Sequence, residues 1–144
     1  MSLLDALQET LAGEHAAVWV YGALGGQTSQ GEHPRLFAAV DAAYTTHRSR
    51  RDQLIRTITD LGGNPVASEI GYALPEDLGI PARVRATALG IEQRCASTYA
   101  ALVASSSAAQ RSWAITALTD AAVRQLRFRG SPEIFPGAGE LANR

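Results

Sequence analysis

Four segments of the chain repeat apolar residues at alternating steps of three and four, and this spacing constrains the fold more than any other feature. The line in the first segment runs through Leu4, Leu7, Leu11, Glu14, Val18 and Tyr21. The line in the second runs through Phe37, Val40, Tyr44, His47, Arg51, Leu54, Ile58 and Leu61. Such spacing is typical of helices packed in a bundle. We therefore predict an all-α four-helix bundle with helices at about residues 3–24, 34–61, 81–104 and 108–129.

The residues between these segments are those that begin and end helices. Ser2 followed by Asp5 resembles a capping box, and Pro34 suits the first position of a helix. Two glycine pairs, Gly25-Gly26 and Gly62-Gly63, are expected to end the first and second helices.

The connection from Gly62 to Ile80 is long for a compact domain. It makes sense as a crossover along the full length of the bundle, so helices 2 and 3 are expected to run parallel and the 1–2 and 3–4 pairs to be antiparallel. Its expected anchors are Val66, Ile70, Tyr72 and Leu74. Residues 1–130 would form one domain, and the tail at 131–144 would dock on it through Ile134 and Phe135.

The composition restricts the function classes. The 144-residue chain has a net charge of −1, which does not favour nucleic acid or anionic membranes as partners. The single cysteine, Cys95, excludes an intramolecular disulfide and a cysteine-based zinc cluster. No stretch resembles a signal peptide or a membrane span, so a cytoplasmic protein is expected. Ala-rich helix faces favour a homo-oligomer, with a dimer as the preferred state.

Four polar residues interrupt the apolar faces near the middle of the four helices: Glu14, His47, Glu92 and Asp120. Residues at helix midpoints share one layer of an antiparallel bundle, so these side chains are expected to converge. Buried charged groups are costly unless they are paired or bind a metal. Carboxylates with an imidazole suit iron, manganese or zinc.

Several segments resemble a known family. They are ETLAGEHAAVWVYG (9–22), HRSRRD (47–52), GGNPVAS (62–68), EQRCASTYAALV (92–103) and RGSPEIFPG (129–137). Together they are similar to a small ferritin-like domain of unknown function found in high-GC bacteria, and the resemblance covers nearly the whole chain. It implies the ferritin-like topology, in which a long crossover joins helices 2 and 3.

The resemblance also implies a set of metal ligands. The ferritin-like superfamily binds two metals through a Glu on helix 1, a Glu-x-x-His on helix 2, a Glu on helix 3 and a second Glu-x-x-His on helix 4. The matching residues here are Glu14, His47, Glu92 and, shortened by one carbon, Asp120. Tyr44 and Val123 stand where the remaining Glu and His belong, so the usual two-metal centre is incomplete.

The same residues also fit an ion-pair network. Arg51 and Arg124 lie one turn from His47 and Asp120, and Tyr44 and Tyr99 are available as hydrogen-bond donors. Three alternatives stay open: this network, a mononuclear metal site and a two-metal site. We expect a non-catalytic structural or interaction protein with a degenerate metal site and no cofactor. The alternative is a redox or storage protein with iron or manganese at Glu14, His47, Glu92 and Asp120, and the sequence identifies no catalytic residues.

Overall fold

A computed structural model describes residues 1–129, 131 and 134–138 of the chain. It contains α1 (Leu3–Gln27), α2 (Pro34–Asp60), α3 (Pro81–Ser105) and α4 (Ala108–Arg129), and no strand occurs in these residues. The predicted all-α four-helix bundle is confirmed. None of the described helices combines the length and apolar character that crossing a bilayer requires.

Local sequence explains most helix ends. The Ser2 hydroxyl accepts from the Asp5 N–H at 3.1 Å, and the Asp5 carboxylate accepts from the Ser2 N–H at 3.1 Å, which is the expected capping box. Gly62 has φ +78° and follows α2 in a Schellman arrangement, in which the Gly63 N–H donates to the Ile58 carbonyl at 2.9 Å. The expected end of α1 at Gly25-Gly26 is wrong, because α1 continues through Gln27.

Two apolar clusters fix the directions of the helices. The first joins the start of α1 and α4 to the ends of α2 and α3: Ala6, Leu7, Leu11, Leu54, Ile58, Leu102 and Ala114. The second joins the end of α1 and α4 to the starts of α2 and α3, around Leu24, Leu36, Val84 and Phe128. Therefore α2 and α3 run parallel, whereas α1–α2 and α3–α4 are antiparallel hairpins, as predicted. Each helix packs against a neighbour within this frame, but α2 and α4 approach one another less closely than the pairs α1–α2, α1–α3 and α3–α4.

Residues 61–80 cross the bundle along the outer side of α1. The Gln8 side chain donates to the Asn64 carbonyl at 2.7 Å and accepts from the Val66 N–H at 2.8 Å. About two turns further along α1, the His15 Nε2 atom lies 3.0 Å from the Val66 carbonyl oxygen. Backbone hydrogen bonds to side chains of α1 thus hold the start of the crossover.

The apolar anchors of the crossover differ from those expected. Tyr72 packs on Trp19 with ring centroids 5.9 Å apart, as an anchor should. Ile70, however, is fully exposed, and Leu78, which we did not expect to be an anchor, is buried. Leu78 anchors the end of the crossover, because it lies just before α3 and packs in the apolar cluster around Leu24 and Val84.

The buried face of α2 is rotated by one residue from the predicted line in its central part. Ala43 and Arg50 are buried, while Tyr44 and Arg51 are only partly so. The Tyr44 ring packs at the edge of the core, and the Arg48 guanidinium lies 5.5 Å from its centroid. The small Ala43 takes the interior position.

The central part of the interior face of α4 is not formed by large apolar residues. Alanines form its interior face: Ala114, Ala117 and Ala121 are buried. Ile115, Val123 and Leu126 are 38–51% exposed. The physical reason is that small side chains let α3 and α4 approach closely, since the distance between packed helices depends on the residues at the contact.

Part of the predicted docking tail lies outside the described residues, namely 132–133 and 139–144. In the described part, Ile134 and Phe135 are 74% and 46% exposed. Gly137 instead lies against the Ala96 carbonyl and Ala100 of α3.

Candidate functional site

A repeated Glu-x6-Tyr pattern places four polar groups between α1 and α3. Glu14 and Tyr21 lie on α1, and Glu92 and Tyr99 lie on α3. Because the two helices are antiparallel, each glutamate faces the tyrosine of the other helix. The Tyr21 hydroxyl donates to Glu92 Oε1 at 2.7 Å, and the Tyr99 hydroxyl donates to Glu14 Oε1. All four side chains are fully buried.

His47 of α2 joins the two glutamates. Its Nδ1 lies 2.6 Å from Glu14 Oε2, and its Nε2 lies 3.1 Å from Glu92 Oε1. The imidazole also stacks on the Tyr21 ring, with centroids 5.3 Å apart and an interplanar angle of 18°. Only the protonated imidazolium has N–H donors on both nitrogens, so the charged form of His47 matches two carboxylate acceptors.

Two arginines complete the cluster on the side where α2 faces α4. Arg124 donates from Nε to Glu92 Oε1 at 2.9 Å and from Nη1 to Asp120 Oδ2 at 2.8 Å. Arg50 donates to the same Asp120 oxygen and, at 3.2 Å, to the Tyr99 hydroxyl. With His47 protonated, the charges of Glu14, Glu92 and Asp120 are balanced by those of the two guanidiniums and the imidazolium. We call these eight residues the polar layer: Glu14, Tyr21, His47, Arg50, Glu92, Tyr99, Asp120 and Arg124.

The ionisation of the polar layer follows from these contacts. Burial disfavours the charged imidazole, but hydrogen bonds to Glu14 and Glu92 outweigh it and raise the pKa of His47 above 6.5. Burial opposes ionisation of Glu92 as well, yet His47 and Arg124 lower its pKa below 4.5. In the same way, Arg124 and Arg50 overcome the burial of Asp120 and hold its pKa below 3.8. Glu92 and Asp120 are therefore ionised at neutral pH, and the contacts of His47 favour its protonated form.

The two tyrosine hydroxyls of the layer and the thiol beside it stay neutral. Burial, together with the charge of Glu92, raises the pKa of Tyr21 well above 10.0. Burial and the charge of Glu14 do the same for Tyr99. Cys95 is fully enclosed beside the layer, and burial with the charges of Glu14 and Glu92 raises its pKa well above 9.0. A thiol in this state is a poor nucleophile.

Some polar atoms of the centre have no partner among the described residues. These are Glu92 Oε2, Arg124 Nη2 and both amide atoms of Gln125, a fully buried side chain of α4. The two carboxylate oxygens of Glu92 therefore differ: Oε1 accepts hydrogen bonds from Tyr21, His47 and Arg124, while Oε2 accepts none from the described residues. Separately, Glu14, His47 and Cys95 each offer a ligand atom within 4.8 Å of those of the other two.

The structure brings together three of the four sequence-predicted site residues directly. Glu14, His47 and Glu92 form one hydrogen-bonded unit. The Asp120 side chain is 42% exposed, and its partners in the described part of the chain are Arg50 and Arg124. Asp120 therefore joins the unit through arginine and not through His47.

The partners proposed for an ion-pair network are partly different from those expected. Arg124 and Tyr99 contribute as predicted. Arg51 instead pairs with the adjacent Asp52 at 2.8 Å, and its expected place is taken by Arg50. Tyr21 is the second hydroxyl donor in place of Tyr44. The repeated Glu-x6-Tyr spacing is the sequence signal that identifies Tyr21, whereas nothing in the pattern distinguishes Arg50 from Arg51.

These contacts define the class of the protein as an all-α four-helix bundle with a buried, charge-balanced polar layer. Residues 6–140 match the family described as a domain of unknown function (DUF4439), and the chain belongs to this family. A solved structure similar to it is a conserved hypothetical protein, rv2844, from Mycobacterium tuberculosis. That protein is 30% identical, with a TM-score of 0.78 over 92% of this chain and 91% of the other. No curated protein matches this sequence.

Proposed function

We propose that this protein is a non-catalytic helical-bundle module that acts through contacts of its surface, and that the polar layer is a structural ion-pair network. The observation that carries the proposal is His47. Both of its ring nitrogens contact carboxylates, at 2.6 and 3.1 Å, so neither retains a lone pair directed at a metal. A raised pKa of His47 supports the same assignment, because metal binding requires the neutral imidazole.

The two-metal centre of ferritin-like proteins does not fit the residues at this place. Tyr44 occupies one ligand position, and Val123, at the other, is 51% exposed on the outer side of α4. Asp120 is already shared by two guanidiniums, and the Arg124 Nε atom lies 2.9 Å from Glu92 Oε1. Fixed cations at these distances repel a divalent ion. We nevertheless assign the chain to the ferritin-like superfamily by descent, which the crossover between α2 and α3 supports.

The network gives the bundle a defined arrangement. Each of the four helices supplies at least one member of the polar layer, and a shift of any helix would strand a buried charge. Breaking such a network is strongly unfavourable, so it selects one register among similar packings of Ala-rich helices. A network that fixes the packing of the helices also fixes the shape of the outer surface, which suits a protein that binds a partner through that surface.

The partner we propose first is a second copy of the chain, forming a cytoplasmic homodimer. The sequence favoured a contact through an Ala-rich helix face, but the alanines Ala114, Ala117 and Ala121 of α4 are buried inside the bundle. The outer apolar residues Ile115, Val123 and Leu126 are the better candidates for the contact. Sedimentation equilibrium of the wild type and of Ile115→Glu tests this proposal. A dimer that becomes monomeric in the variant supports it, and a monomeric wild type contradicts it.

A metal-dependent redox or storage role with iron or manganese is the second candidate. Two observations favour it: the proximity of Glu14, His47 and Cys95, and the unpartnered Oε2 atom of Glu92. To bind a single ion at these residues, His47 would have to lose the proton that it shares with one of the glutamates. Thiolate from Cys95 would favour iron over manganese.

Elemental analysis separates the two candidates. The protein should be purified without a chelating tag from cells supplied with iron and manganese, alongside Glu92→Ala. The network proposal expects metal far below one equivalent per chain in both proteins, and no rise in melting temperature when metal is added. Near-stoichiometric metal in the wild type that is absent from Glu92→Ala would establish the second candidate instead.

A further inference from the structure

A groove of about 500 Å³ lies between the crossover and α3, away from the polar layer. Residues 73–75 of the crossover form one wall, α3 forms the other, and Val20 of α1 lies at the base. Its walls are largely apolar, with Leu74, Pro75 and Ala86 among them. A volume of this size and an apolar lining with few polar groups are typical of small-molecule sites.

The charged groups of the groove are two arginines of α3, whereas the Thr87 hydroxyl, which also lines it, donates to the Arg83 carbonyl at 2.8 Å. Arg83 and Arg94 are eleven residues apart, which places them on the same side of the helix about 16 Å from one another along its axis. Both are exposed, and within the described residues neither has a carboxylate partner. The guanidiniums that line the groove are thus available to an anion.

The charged residues that line the groove, Arg83 and Arg94, have one sign. The surface of α3 carries Arg83, Arg85 and Arg94, and the only carboxylate in that helix, Glu92, is buried in the polar layer. The acidic residues of the nearby crossover, Glu76 and Asp77, do not line the groove. Low-dielectric walls with charges of a single sign concentrate ions of the opposite sign.

Gly90 keeps the groove open between the two arginines. It lies in the interior of α3, where glycine destabilises a helix relative to alanine. A Cβ atom at this position would meet only the Arg94 Nη1 atom, at 3.7 Å, which is an ordinary contact. The packing of the bundle therefore does not require glycine here, and the missing side chain instead leaves space in the groove wall.

We propose that this groove binds an amphipathic anion, namely an apolar chain with a phosphate or carboxylate head group. The chain would lie along Leu74, Pro75 and Val20, and the head group would accept hydrogen bonds from Arg83 or Arg94. This inference is independent of the proposed role of the polar layer, since no residue is shared between the two.

Calorimetric titration with decyl phosphate and with decanoate, each kept below micelle-forming concentrations, tests the inference. Saturable binding with one ligand per chain is expected for at least one of them. Arg83→Gln and Arg94→Gln together should weaken it about tenfold or more, because a charge-assisted hydrogen bond is lost. Arg85→Gln removes one positive charge from α3 outside the groove and should leave affinity unchanged, whereas Arg83→Gln and Arg94→Gln, each made alone, remove one charge from inside it.

Gly90→Ala provides a readout that loss of folding cannot imitate. It should raise the unfolding temperature, because alanine favours the helix, while it weakens ligand binding by narrowing the groove. Absence of saturable binding, equal weakening by Arg85→Gln, or equal affinity for inorganic phosphate and for decyl phosphate would overturn the proposal. So would binding of an acidic peptide in the groove without binding of either amphiphile.

Discussion

Glu14 and Glu92 contact the same imidazole from opposite sides. Glu14 approaches Nδ1 of His47 at 2.6 Å, and Glu92 approaches Nε2 at 3.1 Å. The two glutamates belong to antiparallel helices, and each also receives a tyrosine hydroxyl from the helix of the other. The polar layer is consequently one connected unit in which the loss of any member alters the surroundings of the next.

The two tyrosines should differ in importance. Tyr99→Phe removes a donor from Glu14 and an acceptor from Arg50, whereas Tyr21→Phe leaves Glu92 with His47 and Arg124. We expect a loss of about 1.5–3 kcal/mol in unfolding free energy for Tyr99→Phe, as for hydrogen bonds to charged groups, and a smaller loss for Tyr21→Phe. Chemical denaturation of both variants measures the difference. Equal losses would argue against the uneven distribution of partners.

Removing one charge should cost more than removing the whole cluster. Arg124→Met withdraws the guanidinium from Glu92, a fully buried carboxylate, and should lower the unfolding free energy by about 3–5 kcal/mol. A combined variant replaces six residues by apolar side chains of similar volume: Glu14, Tyr21, His47, Glu92, Tyr99 and Arg124. Its stability should exceed that of Arg124→Met, because no buried charge is left unpaired. A combined variant less stable than Arg124→Met would contradict the network.

Stability should fall as the pH rises above 6.5, because His47 loses its proton. Its pKa is raised above 6.5 in the folded state, so folding favours the protonated form. The contribution of His47 is complete below pH 6.5 and disappears as the pH rises through the folded pKa. Denaturation midpoints measured across this range should decline in the wild type and stay flatter in His47→Gln. A decline of the same size in His47→Gln would assign it to another group.

His47→Gln should also change how stability depends on pH in the acidic range. Glu92 and Asp120 have lowered pKa values, so their contributions are present above their ordinary values of 4.5 and 3.8 and are lost as the pH falls through the folded values. Asp120 contacts only arginines in the described residues, so its acid limb should persist in His47→Gln. The Glu92 limb should become smaller there, because one of the charges that lowers its pKa is gone.

The helices and their order were predictable because Gly, Pro and the three-four spacing are local signals. Which side of a helix faces the core was predictable only where large apolar residues lie on that side. In α4 the interior residues are Ala114, Ala117 and Ala121, which carry a weak hydrophobic signal, whereas the larger Ile115 and Val123 lie on the exposed face.

The polar layer was predicted in its centre and not at its edge. Glu14, His47 and Glu92 interrupt apolar lines, and that contrast identifies them from sequence. Arg50 does not stand out, because it is followed by Arg51, and either guanidinium has the length to reach inward from the edge of α2. Only the packed structure decides between them, because it places Arg50 against Tyr99 of α3 and Asp120 of α4.

Gly137 should be the most sensitive contact of the tail. Its φ is +79°, and a Cβ atom would lie 2.5 Å from the Ala96 carbonyl oxygen and 3.0 Å from the Ala100 Cβ. Gly137→Ala should therefore cost about 1–2 kcal/mol in backbone strain and separate residues 134–138 from α3. Hydrogen exchange in peptides covering this segment and the middle of α3 should accelerate.

Gly26→Ala is the matched control, because Gly26 lies in α1 with open space around it, and it should stabilise the fold by about 0.5–1 kcal/mol. Unchanged exchange in Gly137→Ala would show that the tail does not depend on this contact.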